Sequence, residues 1–178
     1  MALVVPLPPP GVVRIRVCTS DQIGSWEIRV ATGGPWSHSE AVEDKLHGGC
    51  IIAAQTSYVE GTPDPGVRRF KIDYDTWSVK QAFIDIVATP EQYAAWINFL
   101  WDQSGKPFDH ISFFGFAIPF LDIHEKGAWV CSAVQIAACR EAGLPAPEID
   151  ATYKISPNSL WRFYTDLKDS RVTIHGSA

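Results

Sequence analysis

One cysteine and one histidine lie in the surroundings that nucleophilic chemistry requires. Cys131 opens an alanine-rich segment with helical character, just after the Gly127-Ala128 break. The unpaired N–H groups of a helix start and a nearby base both favour the thiolate, which is the nucleophilic form of cysteine. His38, in a short strand-like segment, is the candidate base. The pair predicts a cysteine hydrolase, and the alternative is that both residues are structural, as Cys139 is expected to be.

The composition is that of a folded, acidic chain, and it excludes several classes of protein. With 178 residues, 46% of them hydrophobic, the chain can form one domain with its own core, so disorder is excluded. The net charge of -5 and the lack of a basic stripe predict no nucleic-acid partner. No apolar run approaches the ~18 residues of a transmembrane segment. The four cysteines form no C-x-x-C pair and no H-x-x-x-H spacing occurs, so we expect no metal and no cofactor.

The first eleven residues differ from the rest of the chain. Residues 1–11 are apolar, uncharged and broken by four prolines. They lack the basic start and the long apolar run of a signal peptide. We therefore expect an extended N-terminal arm at 1–11, a single domain at 12–178, and a protein that is cytoplasmic when made.

Short segments with strand character dominate the first half of the chain. Alternation of apolar and polar residues has the period of a half-buried strand, and turn residues separate the segments. The expected strands are residues 12–18, 26–31, 38–42, 50–55 and 67–72.

Helical periodicity follows the strands. Thr89 and Gln92 match a capping box around Pro90, and apolar residues then recur at helical spacing. A second helix is expected at 131–143 and a third after the cap residue Ser156. Strands first and helices later predict an α+β fold, with an antiparallel sheet or barrel packed against helices.

Five segments, in this order along the chain, carry a resemblance to a known family. They are 36–40 (WSHSE), 66–70 (GVRRF), 105–109 (GKPFD), 129–133 (WVCSA) and 155–160 (ISPNSL). Together they resemble the NlpC-type cysteine peptidase superfamily, in its circularly permuted papain-like branch. The resemblance covers about residues 12 to 165, and it implies a permuted papain-like fold with the histidine strand early and the nucleophile helix late.

The resemblance implies papain-like chemistry. Cys131 would attack a carbonyl, His38 would take and return the proton, and the backbone N–H of Cys131 would hold the oxyanion. Related proteins are common in bacterial and bacteriophage genomes. The implied substrate is a peptide amide of peptidoglycan, and a phage origin would make the protein a virion- or tail-associated wall hydrolase with other virion or tail proteins as partners.

The third member of the catalytic set departs from the family pattern. Related proteins usually place a polar residue on the strand after the histidine strand, and Gln55 is the best candidate there. An amide can fix the imidazole tautomer, but it lacks the charge of the acid that the family uses. Glu40 shares a strand face with His38 and is the alternative orienting group. The altered position also leaves open an inactive structural or binding module of the same fold.

Three further residues are candidate substrate- or oxyanion-binding groups. Asp109 matches a family position after an aromatic residue, and its alternative role is to stabilise a turn. Trp129 and Ser132 flank the nucleophile. Permuted members also resemble lipid acyltransferases and thioesterases, and the apolar residues 113–121 keep that alternative substrate class open.

Overall fold

A six-stranded antiparallel sheet organises the molecule. The computed structural model describes residues 3–56, 65–112, 124–148 and 151–176. The strands are β1 (Val12–Ser20), β2 (His38–Val42), β3 (Ile51–Gln55), β4 (Gly66–Phe70), β5 (Ser78–Val87) and β6 (Val172–His175). They lie in the order β4-β3-β2-β1-β5-β6, and every neighbouring pair is antiparallel.

Four α-helices accompany the sheet in the described part of the chain. They are α1 (Ile23–Thr32), α2 (Pro90–Gln103), α3 (Cys131–Glu141) and α4 (Pro157–Asp166), and short 3-10 turns occur at Lys45–His47 and Thr152–Lys154. The main core packs the sheet against α2, α3 and α4. The protein is therefore an α+β fold with an antiparallel sheet packed against helices, as the sequence predicts. None of the described helices combines the length and the apolar character that crossing a bilayer requires.

The start of each main helix follows from local sequence. The Thr89 hydroxyl accepts from the Gln92 backbone N–H, and the Gln92 side-chain oxygen accepts from the Thr89 backbone N–H. The predicted capping box of α2 is therefore confirmed. The predicted start of α3 at Cys131 is confirmed too. Ser156 caps α4 by accepting from the Ser159 N–H.

One predicted strand is wrong, and two strands were not predicted. Residues 26–31 belong to α1 and not to a strand. The exposed side of α1 carries three apolar residues at helical spacing, Ile23, Trp26 and Val30. Their apolar character therefore does not indicate the buried face of a strand. Strand β5 was not predicted because its residues 82–86 are buried on both faces and show no clean alternation. Strand β6 was not predicted either. It has four residues, and every second one is exposed.

Both faces of the central strand β1 are buried, where the alternation predicted a half-buried strand. Val13, Ile15 and Val17 belong to the main core. Arg14 and Arg16, on the opposite face, are 7% and 0% exposed. The N-terminal arm covers part of this second face, because the Pro6 carbonyl accepts from Arg14 at 2.7 Å and the Val4 carbonyl accepts from Gln81 at 2.8 Å.

The turn before β2 is tied to α4. The Asn158 side chain accepts from the Trp36 N–H at 2.9 Å and donates to the Trp36 carbonyl at 2.8 Å. A Cβ on Gly34 would lie 2.4 Å from Oδ1 of Asn158. The close approach of Gly34 to α4 therefore helps to set where β2 begins.

A pair of glycine substitutions tests this contact. Gly34→Ala is expected to lower the free energy of unfolding by about 1–3 kcal/mol, because it overpacks the contact with Asn158. Gly24→Ala, in α1, meets nothing within 4 Å and is expected to raise it by up to about 1 kcal/mol through helix propensity. Urea unfolding measures both values. Equal effects of the two substitutions would contradict the assigned role of Gly34.

Candidate active site

His38 is the first residue of β2, directly after the anchored turn. Trp36 is fully buried and packs edge-on against Trp161 with ring centroids 5.3 Å apart. The two hydrogen bonds from the Asn158 side chain fix the backbone of Trp36. The His38 side chain remains 19% exposed. A rigid turn thus presents a partly accessible imidazole.

Cys131 is the first residue of α3 and lies beside the start of β2. The cap residue Val130 has no side chain that could accept from the helix N–H groups, so the first turn keeps unpaired donors next to the sulfur. The ladder between β2 and β3 covers only Ala41 and Val42. His38 and Ser39, at the start of β2, are the neighbours that lower the pKa of the Cys131 thiol.

The electrostatics of the pair favour the thiolate–imidazolium form. Burial disfavours the charged forms of both groups, but the mutual charge and hydrogen bond outweigh it and raise the pKa of His38 to about 10. The same interactions, with hydrogen bonds from Ser39, lower the pKa of Cys131. Burial instead raises the pKa of Cys139 to about 12 and that of Cys18 well above its usual value. Of the three buried cysteines, Cys131 alone has a lowered pKa.

Two groups compete for the far nitrogen of the imidazole. Nε2 of His38 lies 3.1 Å from the amide nitrogen of Gln55 and 3.4 Å from Oε1 of Glu40. The amide nitrogen can donate only to a neutral imidazole, whereas the carboxylate can accept the N–H of an imidazolium. This leaves Nδ1 to face the thiol. Tyr74 links the two competitors, since its oxygen accepts from Gln55 at 2.6 Å and its hydroxyl donates to Glu40. The structure therefore places both predicted orienting residues on the same ring nitrogen.

Glu40 is held ionised by its neighbours. Burial alone would raise its pKa, but His38, Arg16 and Tyr74 together lower it to about 2. Arg16 lies 2.9 Å from Glu40 and 2.7 Å from Asp75. The carboxylate supplies the negative charge that Gln55 lacks, and it stabilises the imidazolium.

A pocket of about 280 Å³ opens at the pair. Cys131 and His38 line it together with Gln55, Trp77, Phe108 and the start of α1. Within the described chain, no Asp, Glu, Lys or Arg lines it. A neutral polar group fits such surroundings better than a charged one, because an unpaired charge is poorly solvated there.

The side chains of the other predicted site residues do not line this pocket. The Asp109 carboxylate accepts from the Ser112 N–H at 2.8 Å and from the Glu125 N–H at 3.2 Å, so it holds a loop together. Trp129 donates its ring N–H to Gln103 at 3.1 Å. Ser132 is fully buried and donates to the Ile155 carbonyl. Residues 113–121 fall within 113–123, outside the described residues.

Sequence reasoning missed Arg16, Ser39 and Tyr74. The alternation in β1 placed Arg16 on a solvent face, but in the fold it is fully buried and pairs with Glu40 and Asp75. Ser39 could have been named from the sequence as a neighbour of the site, because it directly follows the candidate base His38. Tyr74 lies in a turn without periodicity, so nothing local connects it to Glu40.

Comparison with known proteins yields a likeness of fold. The chain matches no protein-family model and no curated protein sequence. A solved structure described as "metalloprotein yiiX from Escherichia coli O157:H7, DUF1105" aligns with a TM-score of 0.59. The alignment covers 95% of this chain and 98% of that chain at 16% identity. At this identity the likeness concerns the fold alone.

Proposed function

We propose that the protein is a cysteine hydrolase of the permuted papain-like, NlpC type, which cleaves amide bonds through Cys131 and His38. The observation that carries the proposal is a helix-start thiol that lines one pocket together with a partly accessible imidazole, which a carboxylate supports. Each partner favours the charged form of the other, which is what nucleophilic cysteine chemistry needs.

The proposed reaction has two steps. The Cys131 thiolate attacks the amide carbonyl, the S–C bond forms, and the C–N bond breaks while His38 gives its proton to the leaving amine. Neutral His38 then takes a proton from water, and the resulting hydroxide displaces the sulfur to release the acid. The N–H groups at the start of α3 stabilise the oxyanion in both steps, and Glu40 accepts from the imidazolium and keeps it oriented.

The proposed substrate is a peptide amide of peptidoglycan. The resemblance in the five quoted segments supports it, and a pocket lined by no Asp, Glu, Lys or Arg among the described residues is compatible with a peptide backbone at the scissile bond. On the same resemblance, the protein acts as a virion- or tail-associated wall hydrolase.

Incubation with purified peptidoglycan tests the proposal. Wild type is expected to release soluble fragments with new free amino groups, whereas Cys131→Ala, which lacks the nucleophile, releases none. Mass spectrometry of the fragments identifies the bond. Equal release by Cys131→Ala would show that the activity does not depend on the proposed nucleophile.

A second substrate class has one specific observation in its favour. Ile23, Trp26 and Val30 of α1 are 78%, 57% and 61% exposed, and the start of this helix lines the pocket. An apolar surface at a pocket suits a lipid-like acyl chain. Cleavage of acyl esters in detergent, with no release from peptidoglycan, would favour a thioesterase or acyltransferase over a wall hydrolase.

No metal enters the proposed mechanism. The structural neighbour is described as a metalloprotein, and in the described part of this chain the potential ligand atoms of Cys18, Glu40 and Asp75 lie within 4.8 Å of one another. These residues do not fit a metal, because Arg16 already pairs with both carboxylates. The raised pKa also keeps the Cys18 thiol protonated.

A further inference from the structure

The direction of the Gln55 amide follows from its neighbours. Glu40 is 0% exposed and pairs with Arg16 at 2.9 Å, so its carboxylate is ionised and can only accept hydrogen bonds. The Tyr74 hydroxyl contacts Oε1 of this carboxylate and therefore donates its single hydrogen to it. The Tyr74 oxygen, 2.6 Å from Gln55, is left with acceptor capacity alone. Gln55 must then present its amide nitrogen, because its carbonyl oxygen has no hydrogen to donate.

The same amide nitrogen faces the imidazole. It lies 3.1 Å from Nε2 of His38, and an amide nitrogen carries two hydrogens. One hydrogen goes to Tyr74, and the second is available to Nε2. Nε2 can accept it only when that nitrogen is unprotonated, and in a neutral imidazole the proton then lies on Nδ1. Because Nδ1 faces the thiol, Gln55 favours the form of His38 whose proton lies on the side of Cys131.

We propose that Gln55, oriented by Tyr74, is a positioning residue that holds neutral His38 in the Nδ1–H tautomer. The inference rests on the proposed function for its catalytic meaning. Hydrolysis of the thioester needs the opposite tautomer, in which Nδ1 is free to take a proton from water and Nε2–H is donated to Glu40. Gln55 therefore lowers the population of the form that hydrolyses the thioester, and the intermediate lasts longer than it would without this amide.

The other ionisable neighbours of His38 leave the tautomer to a balance between two groups. Cys131 lies on the Nδ1 side of the ring. Cys18, the cross-strand partner of His38 on β1, stays protonated because burial raises its pKa. Glu40 lies 3.4 Å from Nε2 and favours a proton on that nitrogen. Removing the amide of Gln55 is therefore expected to transfer the proton of neutral His38 from Nδ1 to Nε2.

NMR of the histidine ring nitrogens tests the inference directly. The sample is the whole chain with Cys131→Ala, since the thiolate otherwise keeps His38 protonated up to a pKa of about 10. The His38 signals are assigned by their loss when His38→Ala is added. Above the titration of His38, the two nitrogen shifts show which atom carries the proton. We expect Nδ1–H with Gln55 in place and Nε2–H in Gln55→Met, with the measured pKa of His38 higher by about 0.5–1 unit in Gln55→Met.

Two further substitutions, made in the same Cys131→Ala chain, separate the amide contact from packing. Gln92→Met is the matched control, because the Gln92 side chain bonds to Thr89 and Gly143 at the two ends of its own contacts with α2 and α3. It is expected to leave the tautomer and the pKa of His38 unchanged. Tyr74→Phe keeps Gln55 but removes the oxygen that orients it, so it is expected to move the proton toward Nε2 even if Gln55→Met does not fold.

Several results would overturn the inference. One is an Nε2–H tautomer with Gln55 in place, and another is the same tautomer with and without Gln55. A fall in the pKa of His38 in Gln55→Met would show that the amide supports the imidazolium and would also overturn it. An unchanged tautomer in Tyr74→Phe would overturn the part assigned to Tyr74.

The outcomes also separate the inference from the function beneath it. If Gln55 does not affect the tautomer while Cys131→Ala abolishes release from peptidoglycan, the inference is overturned and the proposed function stands. If the tautomer changes as expected but wild type releases nothing and Cys131 reacts as an ordinary thiol, the proposed function fails. The proton position at His38 is then confirmed, and its catalytic consequence falls with the function.

Discussion

Replacing His38 with alanine is expected to slow alkylation of Cys131 at about pH 6 by about 100-fold. In the wild type the pKa of His38 is raised to about 10 and that of Cys131 is lowered. The ring therefore holds the proton and the sulfur is a thiolate from the lowered thiol pKa upward. Without the imidazolium, burial acts on the thiol alone and raises its pKa.

Iodoacetamide labelling between about pH 5 and 10 measures this effect without knowledge of the substrate. Cys50, which is partly exposed and does not line the pocket, is the internal reference in the same sample. Its rate is expected to be the same in wild type and His38→Ala. A wild-type Cys131 profile no different from that of Cys50 would favour the inactive structural or binding module over the hydrolase.

Replacing Arg16 with methionine is expected to lower the free energy of unfolding by about 3–5 kcal/mol. Arg16 is fully buried and pairs with both Glu40 and Asp75. Its removal leaves two carboxylates close together without a cation, in surroundings that solvate charge poorly. Urea unfolding at neutral pH measures the loss.

The same variant changes how stability depends on pH. The pKa of Glu40 is lowered to about 2 in the fold, below its ordinary value of 4.5. Its contribution is therefore fully present above about pH 4.5 and is lost as the pH falls toward 2. In Arg16→Met the pKa of Glu40 is expected to be lowered less. The stability that is lost when Glu40 is protonated is then expected to be smaller than in the wild type.

The control is Arg171→Met, which removes an exposed ion pair with Asp169. It is expected to leave stability unchanged within error. If Arg16→Met lowered the free energy of unfolding no more than Arg171→Met does, the expected contribution of the buried ion pairs to stability would be wrong.

The predictions that succeeded depend on signals within a few residues. The capping box at Thr89 and the cap at Ser156 are local hydrogen-bond patterns, and they set the starts of α2 and α4. Alternation was less reliable. It located β2 and β3, but it misassigned α1, because a short apolar pattern does not tell which side of an element meets the core.

The structure brings together Cys131, His38, Gln55 and Glu40, which sequence analysis singled out one by one. Gln55 and Glu40 were alternatives for one role. Both lie near the same ring nitrogen, but only the Glu40 carboxylate can accept its hydrogen, because Gln55 presents its amide nitrogen. Local pattern could not decide between them, because the answer depends on how far β3 and the turn of Tyr74 approach His38.

The sequence by itself determined the chemical groups and the local frame, namely a thiol at a helix start and an imidazole at a strand start. Only the tertiary structure decided the surroundings that tune them. Arg16 is buried among residues that are distant in sequence, and it bonds to Gln81 across 65 residues and to Glu40 across 24. Capping and periodicity act over one or two turns. Burial, and the pKa values that follow from it, depends on the packing of the whole chain.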